Sequence, residues 1–377
     1  MKSFLSRISL AIFLCSPALV FGLQSAASDG SAQQPEEAPA TNDQAPAATS
    51  HLAPAAIRGR IKLDVVVANK TGEPLSGLAL EDFTILDNNQ PQKILSFRAI
   101  DGPRLDAAVQ TPRPPMEVIL VLDTVNLDYR DVVYARQELE KFLRRNDGHL
   151  AEPMTVLLFS DTGLSMLGHT SADGNALATA LDQRIARRVI GGQSGADGDL
   201  ERFQLSLQAI SSIADNRRTK PGRKLLVWVS SGWPMLDTPA FGQISQEDKQ
   251  RYFAAIVSLS TRLRESRLTL YSVSAGVSDS YATHYLEFLK GVKSAKQAYP
   301  ADMALKVLVV QSGGRVLGPT SDLIAQIDSC LTDTGAYYML SFDPPRAGGA
   351  NEYHDLKIQI DKPGLIAHTS TGYYDQP

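Results

Sequence analysis

The sequence predicts an α/β protein: a doubly wound, mostly parallel sheet inserted in, or flanked by, a β-sandwich made from strands at both ends of the chain. Three observations predict it. Val118 to Leu122 is an unbroken apolar run that stops at Asp123, the pattern of a strand buried on both faces. From Tyr129 the period becomes helical, with Val132, Ala135, Leu139, Phe142 and Leu143 on one stripe and Arg136, Glu140 and Arg144 off it. Strand–helix alternation then repeats from 117 to 331, whereas the segments on either side read as strands alone.

Taken in order, residues 1–27 have the layout of an export signal. Lys2 and Arg7 give a positive start, Leu10 to Phe21 an apolar segment, and Ser25-Ala26-Ala27 a small-residue cleavage site. The apolar segment is short for a membrane span and contains Pro17; retention as an uncleaved anchor is the alternative. Cys15 follows Leu14 deep inside this segment, which argues against lipidation. Residues 28–56 are rich in Ala, Pro, Gln, Glu, Ser and Thr. They bury too little surface to offset the entropy of ordering, so they read as a disordered tether.

The N-terminal β segment, 57–102, holds three strand candidates. Residues 60–68 alternate, with Ile61, Leu63, Val65 and Val67 on one face. Residues 80–86 and 92–97 flank Asp87 to Gln90, a hairpin signal. A Pro-containing linker, 103–115, leads to the α/β region, 116–333. After the first strand and helix come strands at 154–159, 225–229 and 268–273, with a short edge strand at 164–167. Helices are expected at 172–189, 200–214, 243–264, 281–292, 303–310 and 322–331, with a short strand at 315–317. The C-terminal β segment, 334–377, carries strands at 336–342, 355–360 and 365–369 between Pro- and Gly-containing turns. Each β segment is too small for a core of its own, so the two are expected to pair.

Composition narrows the function. A net charge of −4 gives no basic field for nucleic acid. If Cys15 leaves with the signal, Cys330 is the single remaining cysteine and no internal disulfide can form. Cys330 falls on the apolar side of a helix with Leu323, Ile324, Ile327 and Leu331, which reads as core.

Several stretches together resemble the von Willebrand factor type A fold, and specifically the exported type A-related family abundant in acidobacteria. They are VVVANKTGEPLSGLALEDFTILDNNQPQKILSF, VILVLDTVNLDYRDVVYARQELEKFL, GRKLLVWVSSGWP, LTLYSVSAG, VQSGGRVLGPTSDLIAQI, AYYMLSF and the closing HDLKIQIDKPGLIAHTSTGYY, in the family's order over nearly all of the mature chain. The resemblance implies a divalent cation at the carboxyl ends of the strands, held by Asp-x-Ser-x-Ser, a loop Thr and a second Asp. Hard cations need such converging oxygens. This chain keeps Asp123, but Val125 and Leu127 stand where the serines belong, and Ser230-Ser231-Gly232 where the second Asp belongs. No counterpart of the Thr is evident in GGQSGADGDLERF. The expectation is therefore a degenerate adhesion site with no cofactor, Asp123 being the one weak candidate for Mg²⁺ or Ca²⁺. The alternative role of Asp123 is to cap the following turn or to accept from Ser230 or Ser231.

No zinc-protease, phosphate-loop, dinucleotide or nucleophile-elbow motif is present. His149, His169, His284, His354 and His368 are scattered, without metal spacing. The chain is thus expected to be no enzyme. It is read as an exported, periplasmic or secreted module that binds a protein or another envelope component, with no transmembrane segment after signal cleavage. Its rim candidates are Asp123, Asn126, Ser230, Ser231 and Trp233, with Trp233 either an exposed anchor or a lid over the core. Two alternatives are a cation-dependent adhesion module with a non-standard site at Asp123, and an envelope hydrolase with an unrecognised site.

Overall fold

A computed structural model describes residues 59–100, 114–183, 195–236, 244–275, 283–318, 320, 322–346 and 348–375. The expected signal, the tether, most of the 103–115 linker and the ends of several expected helices lie outside the described residues.

Five strands form the central sheet: β5 (Met116–Asp123), β6 (His149–Ser160), β7 (Gly163–Asp173), β8 (Arg223–Ser230) and β9 (Leu268–Ser274). Their order is β7-β6-β5-β8-β9. β5 lies parallel to both β6 and β8, β8 is parallel to β9, and β7 alone is antiparallel. A single parallel bridge from Ser272 to Val316 is all that forms of the short strand expected at 315–317. Alternate residues of β5 serve opposite faces, as its unbroken apolar run requires. Val118, Leu120 and Leu122 pack with α1 (Tyr129–Arg144), α2 (Gly174–Asp182) and α6 (Leu323–Leu331). Ile119 and Val121 pack with α3 (Ala196–Arg217), α4 (Gln246–Ser266) and α5 (Leu305–Gln311). The α/β region is therefore doubly wound, and Cys330 is a buried core residue.

The flanking strands form two four-stranded sheets, each built from both ends of the chain. One has the order β12 (Ile366–His368), β1 (Ile61–Ala68), β10 (Tyr337–Phe342), β4 (Ser96–Ile100). The other runs β13 (Gly372–Tyr374), β11 (Tyr353–Ile360), β2 (Phe83–Asp87), β3 (Gln90–Gln92). Ile61, Leu63, Val65 and Val67 of β1 meet Phe83 and Ile85 of β2, Leu340 and Phe342 of β10, and Leu356 of β11 between them. This is the sandwich that the alternating pattern predicts.

Three elements differ from the expectation. The arm expected at 92–97 is two strands in different sheets: β3 pairs with β2, and β4 crosses over to pair with β10. Asn88 and Asn89 supply the positive φ of the tight turn between β2 and β3, at 48° and 63°. The short edge strand is the eleven-residue β7, mostly exposed or half-exposed along its length, with no partner strand on its outer edge among the described residues. The helix expected at 281–292 is only a 3₁₀ turn at His284–Phe288. Behind it the Tyr353 ring occupies the space that a Cβ at Gly291 would need.

A buried polar knot fixes the return from α/β to sandwich. Asp333, just ahead of β10, accepts from Tyr271 Oη at 2.7 Å and from Arg315 at 3.1 Å. Its own carbonyl accepts from Arg223 at 2.8 Å, and the Arg223 guanidinium lies over the Tyr337 ring. Arg267, at the end of α4, pairs through two nitrogens with Asp64 of β1.

Asp302, buried at the turn before α5, accepts from the Tyr299 N–H at 2.8 Å. Burial pushes its carboxyl up to about 7. The folded state then keeps a proton that the unfolded state releases near pH 4, so stability falls as pH rises between those values. Asp302→Asn keeps an acceptor for Tyr299 and removes the titration. Its melting temperature should exceed that of the unaltered protein at pH 8 and converge with it near pH 4; parallel curves in thermal melts across this range would contradict the assignment.

Candidate functional site

The parallel strands β5, β6, β8 and β9 end on one rim, and Asp123 closes the central one. Its side chain is fully buried. Oδ1 accepts from the backbone N–H groups of Val125 at 3.0 Å and Asn126 at 2.9 Å. Oδ2 accepts from Asn126 Nδ2 and from Trp228 Nε1, both at 2.8 Å. A carboxylate offers about four lone-pair positions, and four N–H donors occupy them here. Burial pushes this carboxyl up from its ordinary value, while the indole, the Asn126 amide and the two backbone donors pull it down. Of the roles expected for Asp123, capping of the following turn is therefore the geometry found. Neither Ser230 nor Ser231 donates to it.

The other rim residues are joined to this centre in different ways. Asn126 also reaches Ser206 Oγ on α3 at 3.0 Å, and its carbonyl accepts from Ser231 Oγ at 2.6 Å. Ser230 Oγ accepts from the Gly232 N–H at 3.0 Å and so shapes only its own turn. Gly232 takes φ 101°, a conformation open to glycine, and the chain folds back. Trp233 is thereby buried to 2% exposure, its ring edge-on to Trp228 at 5.1 Å. Of the two readings of Trp233, an exposed anchor or a lid over the core, the geometry found is the lid, placed by the Gly232 turn.

Two residues of the rim escape the sequence reading. Ser206 is buried and continues the Phe203, Ile210, Ile213 stripe of α3. A hydroxyl inside an apolar stripe is the signal that marks it. Tyr129, the first residue of α1, is 72% exposed beside the Asp123 turn. Its helical period makes it the start of a helix and says nothing of its exposure.

The residues present do not fit a divalent cation. Val125 and Leu127 are buried apolar side chains, and Trp228 directs an N–H at the carboxylate oxygen that a cation would need. Among the described residues no group of three or more His, Cys, Asp or Glu could hold a metal ion. Nor, among the described residues, is any helix long and apolar enough to cross a membrane.

The α/β region is a doubly wound sheet with an aspartate closing its central strand, the arrangement that the resemblance to the von Willebrand factor type A fold implies. No family model matches the chain, and no curated protein matches it, so the narrower likeness to the acidobacterial family stays a resemblance. Similar solved structures include a von Willebrand factor type A protein from Catenulispora acidiphila, at 9% identity over 85% of this chain and 74% of that one, with a TM-score of 0.32. The manganese-loaded TRAP protein of Plasmodium vivax is also 9% identical, over 73% and 96%, with a TM-score of 0.32. The SpRpn10 VWA domain is 12% identical over 58% and 96%, with a TM-score of 0.27. At these values no residue role and no ligand passes to this chain.

Proposed function

We propose that the protein is an exported, non-catalytic binding module that engages a protein or other envelope component through the carboxyl-end rim, without a cation. The observation that carries this reading is the saturated Asp123 carboxylate. All of its acceptor positions are used inside the fold, so it holds the rim loops in place and has none left for a metal-bridged partner. Recognition then falls to the accessible groups around it, with Tyr129 as the aromatic anchor and the half-exposed Ser231 beside it, while Asn126 holds the loop through its bonds to Asp123 and Ser206. Exposed aromatic side chains on a rigid rim suit protein contacts. In this reading residues 1–27 direct export, residues 28–56 tether the folded part, and the β segments 57–102 and 334–377 form the support for 116–333.

The test is capture of a partner from envelope extract by the immobilised protein. Capture should proceed equally in EDTA and in Mg²⁺, and Tyr129→Ala should weaken it by about thirtyfold or more, the loss of a typical hot spot. Capture abolished by EDTA would restore the cation-dependent adhesion reading. Turnover of peptide, ester or glycan substrates by the purified protein would favour the hydrolase.

A further inference from the structure

Residues 284–303 lead from β9 towards α5 and hold three 3₁₀ turns, His284–Phe288, Ala295–Gln297 and Pro300–Met303. Some of their side chains anchor them. Val292, Ala298 and Met303 belong to the core shared with α4 and α5. The rings of Tyr285 and Phe288 pack against Met235, Ala301 and Val307. Leu286, between these two rings in sequence, is left 53% exposed, and Tyr299 is 39% exposed.

The same stretch carries Lys290, Lys293 and Lys296, all exposed. None of the three pairs with a carboxylate among the described residues. Lys293 shares an open cleft with Glu352 and Asp355, but Glu352 accepts from the Gly348 N–H and Asp355 pairs with Lys357 at 3.6 Å. Glu287, the one carboxylate within 284–299, lies 3.7 Å from the His284 ring nitrogen. Lys249 of α4 adds a further cation. Its Nζ donates to the Lys296 carbonyl at 3.0 Å and lies 4.8 Å from the centre of the Tyr299 ring. A chain of net charge −4 thus presents a cationic stretch whose lysines answer no carboxylate of the fold, beside an exposed leucine and a tyrosine. An exposed leucine alone is ordinary on a protein surface; its place among these lysines is what points to a partner.

We propose that residues 284–299 dock the protein on an anionic lipid surface. The lysine ammonium groups lie among the lipid phosphates, Leu286 enters the acyl boundary, and Tyr299 sits at headgroup level. Lysine suits such a partner, because its charge sits at the tip of a flexible apolar stem and needs no fixed geometry. An acidic protein would answer the charge alone. A lipid surface, charged outside and apolar within, answers both the charge and the exposed leucine. The inference is independent of the rim reading, since neither Asp123 nor Tyr129 takes part.

Co-sedimentation of the purified chain with lipid vesicles reads this out. Strong binding is expected to vesicles containing phosphatidylglycerol and little to pure phosphatidylcholine, and added salt should weaken it. Replacing Lys290, Lys293 and Lys296 together by glutamine should weaken binding about a hundredfold, at roughly fivefold for each lysine. Leu286→Ala should weaken it about tenfold. Lys141→Gln, an exposed lysine on α1, should leave it unchanged. All these side chains are exposed, so each variant should melt with the unaltered protein. No binding to phosphatidylglycerol vesicles, equal binding to the two vesicle types, or binding that survives the triple substitution overturns the proposal. Binding to a polyglutamate peptide without binding to the anionic vesicles also overturns it, in favour of an acidic protein partner.

Discussion

Replacing Asp123 by alanine should lower the melting temperature by about 10 °C, and by the same amount in EDTA and in Mg²⁺. The carboxylate is the shared acceptor of four donors, and three of them face no other acceptor once it is gone. Asn126 Nδ2 alone has a second partner, in Ser206. Leaving a buried donor unsatisfied costs about 1–3 kcal/mol. Partial relaxation and entry of water bring the expected total to about 4 kcal/mol, at the upper end for single substitutions. Asp123→Asn should lose less, because one oxygen remains to accept. Calorimetry of both variants checks the order. An alanine variant as stable as the unaltered protein would show that the donors find water without cost, and the carboxylate would then have no structural role.

The second large effect is expected at the junction. Asp333→Ala should cost about 3–5 kcal/mol, because it leaves the Arg315 charge and the Tyr271 hydroxyl without their buried acceptor. Burial already holds the Tyr271 hydroxyl well above its ordinary value, so it cannot ionise to compensate. Since Asp333 joins β9, the segment after α5 and the entry to β10, the sandwich and the α/β region should unfold as one transition in the unaltered protein. In Asp333→Ala the loss should appear in denaturant melts followed by both tryptophan fluorescence and far-UV signal. Trp228 and Trp233 both lie in the α/β region, so separation of the two signals would reveal that the junction had been the coupling element.

Apolar periodicity made most of the framework legible. The run Val118 to Leu122 identified the central strand, and the alternation of β1 identified a sandwich face. Both are local consequences of burial and are written in residue order. Pairings that depend on where the chain goes next were not written there. Residues 90–92 and 96–100 are both extended, and nothing in their composition says that they part into different sheets. Trp233 shows the same limit at the site. Its position after a buried strand is consistent with a rim anchor, and the φ of Gly232 decides that it turns inward. The four donors to Asp123 come from residues 125, 126 and 228, so that the loss of the two serines was legible but the replacement of their role by an indole N–H was not. Ser206 was detectable as a hydroxyl in an apolar stripe, although its partner Asn126 lies 80 positions away.

The central claim is that Asp123 serves the fold and not a cation. The most direct measurement is a thermal melt of the purified protein in EDTA, Mg²⁺, Ca²⁺ and Mn²⁺ at millimolar concentration and constant ionic strength. Superimposable curves are the expected result, because the carboxylate has no acceptor position left. A cation-dependent rise that disappears in Asp123→Asn would contradict the claim and return the rim to a metal-dependent mechanism.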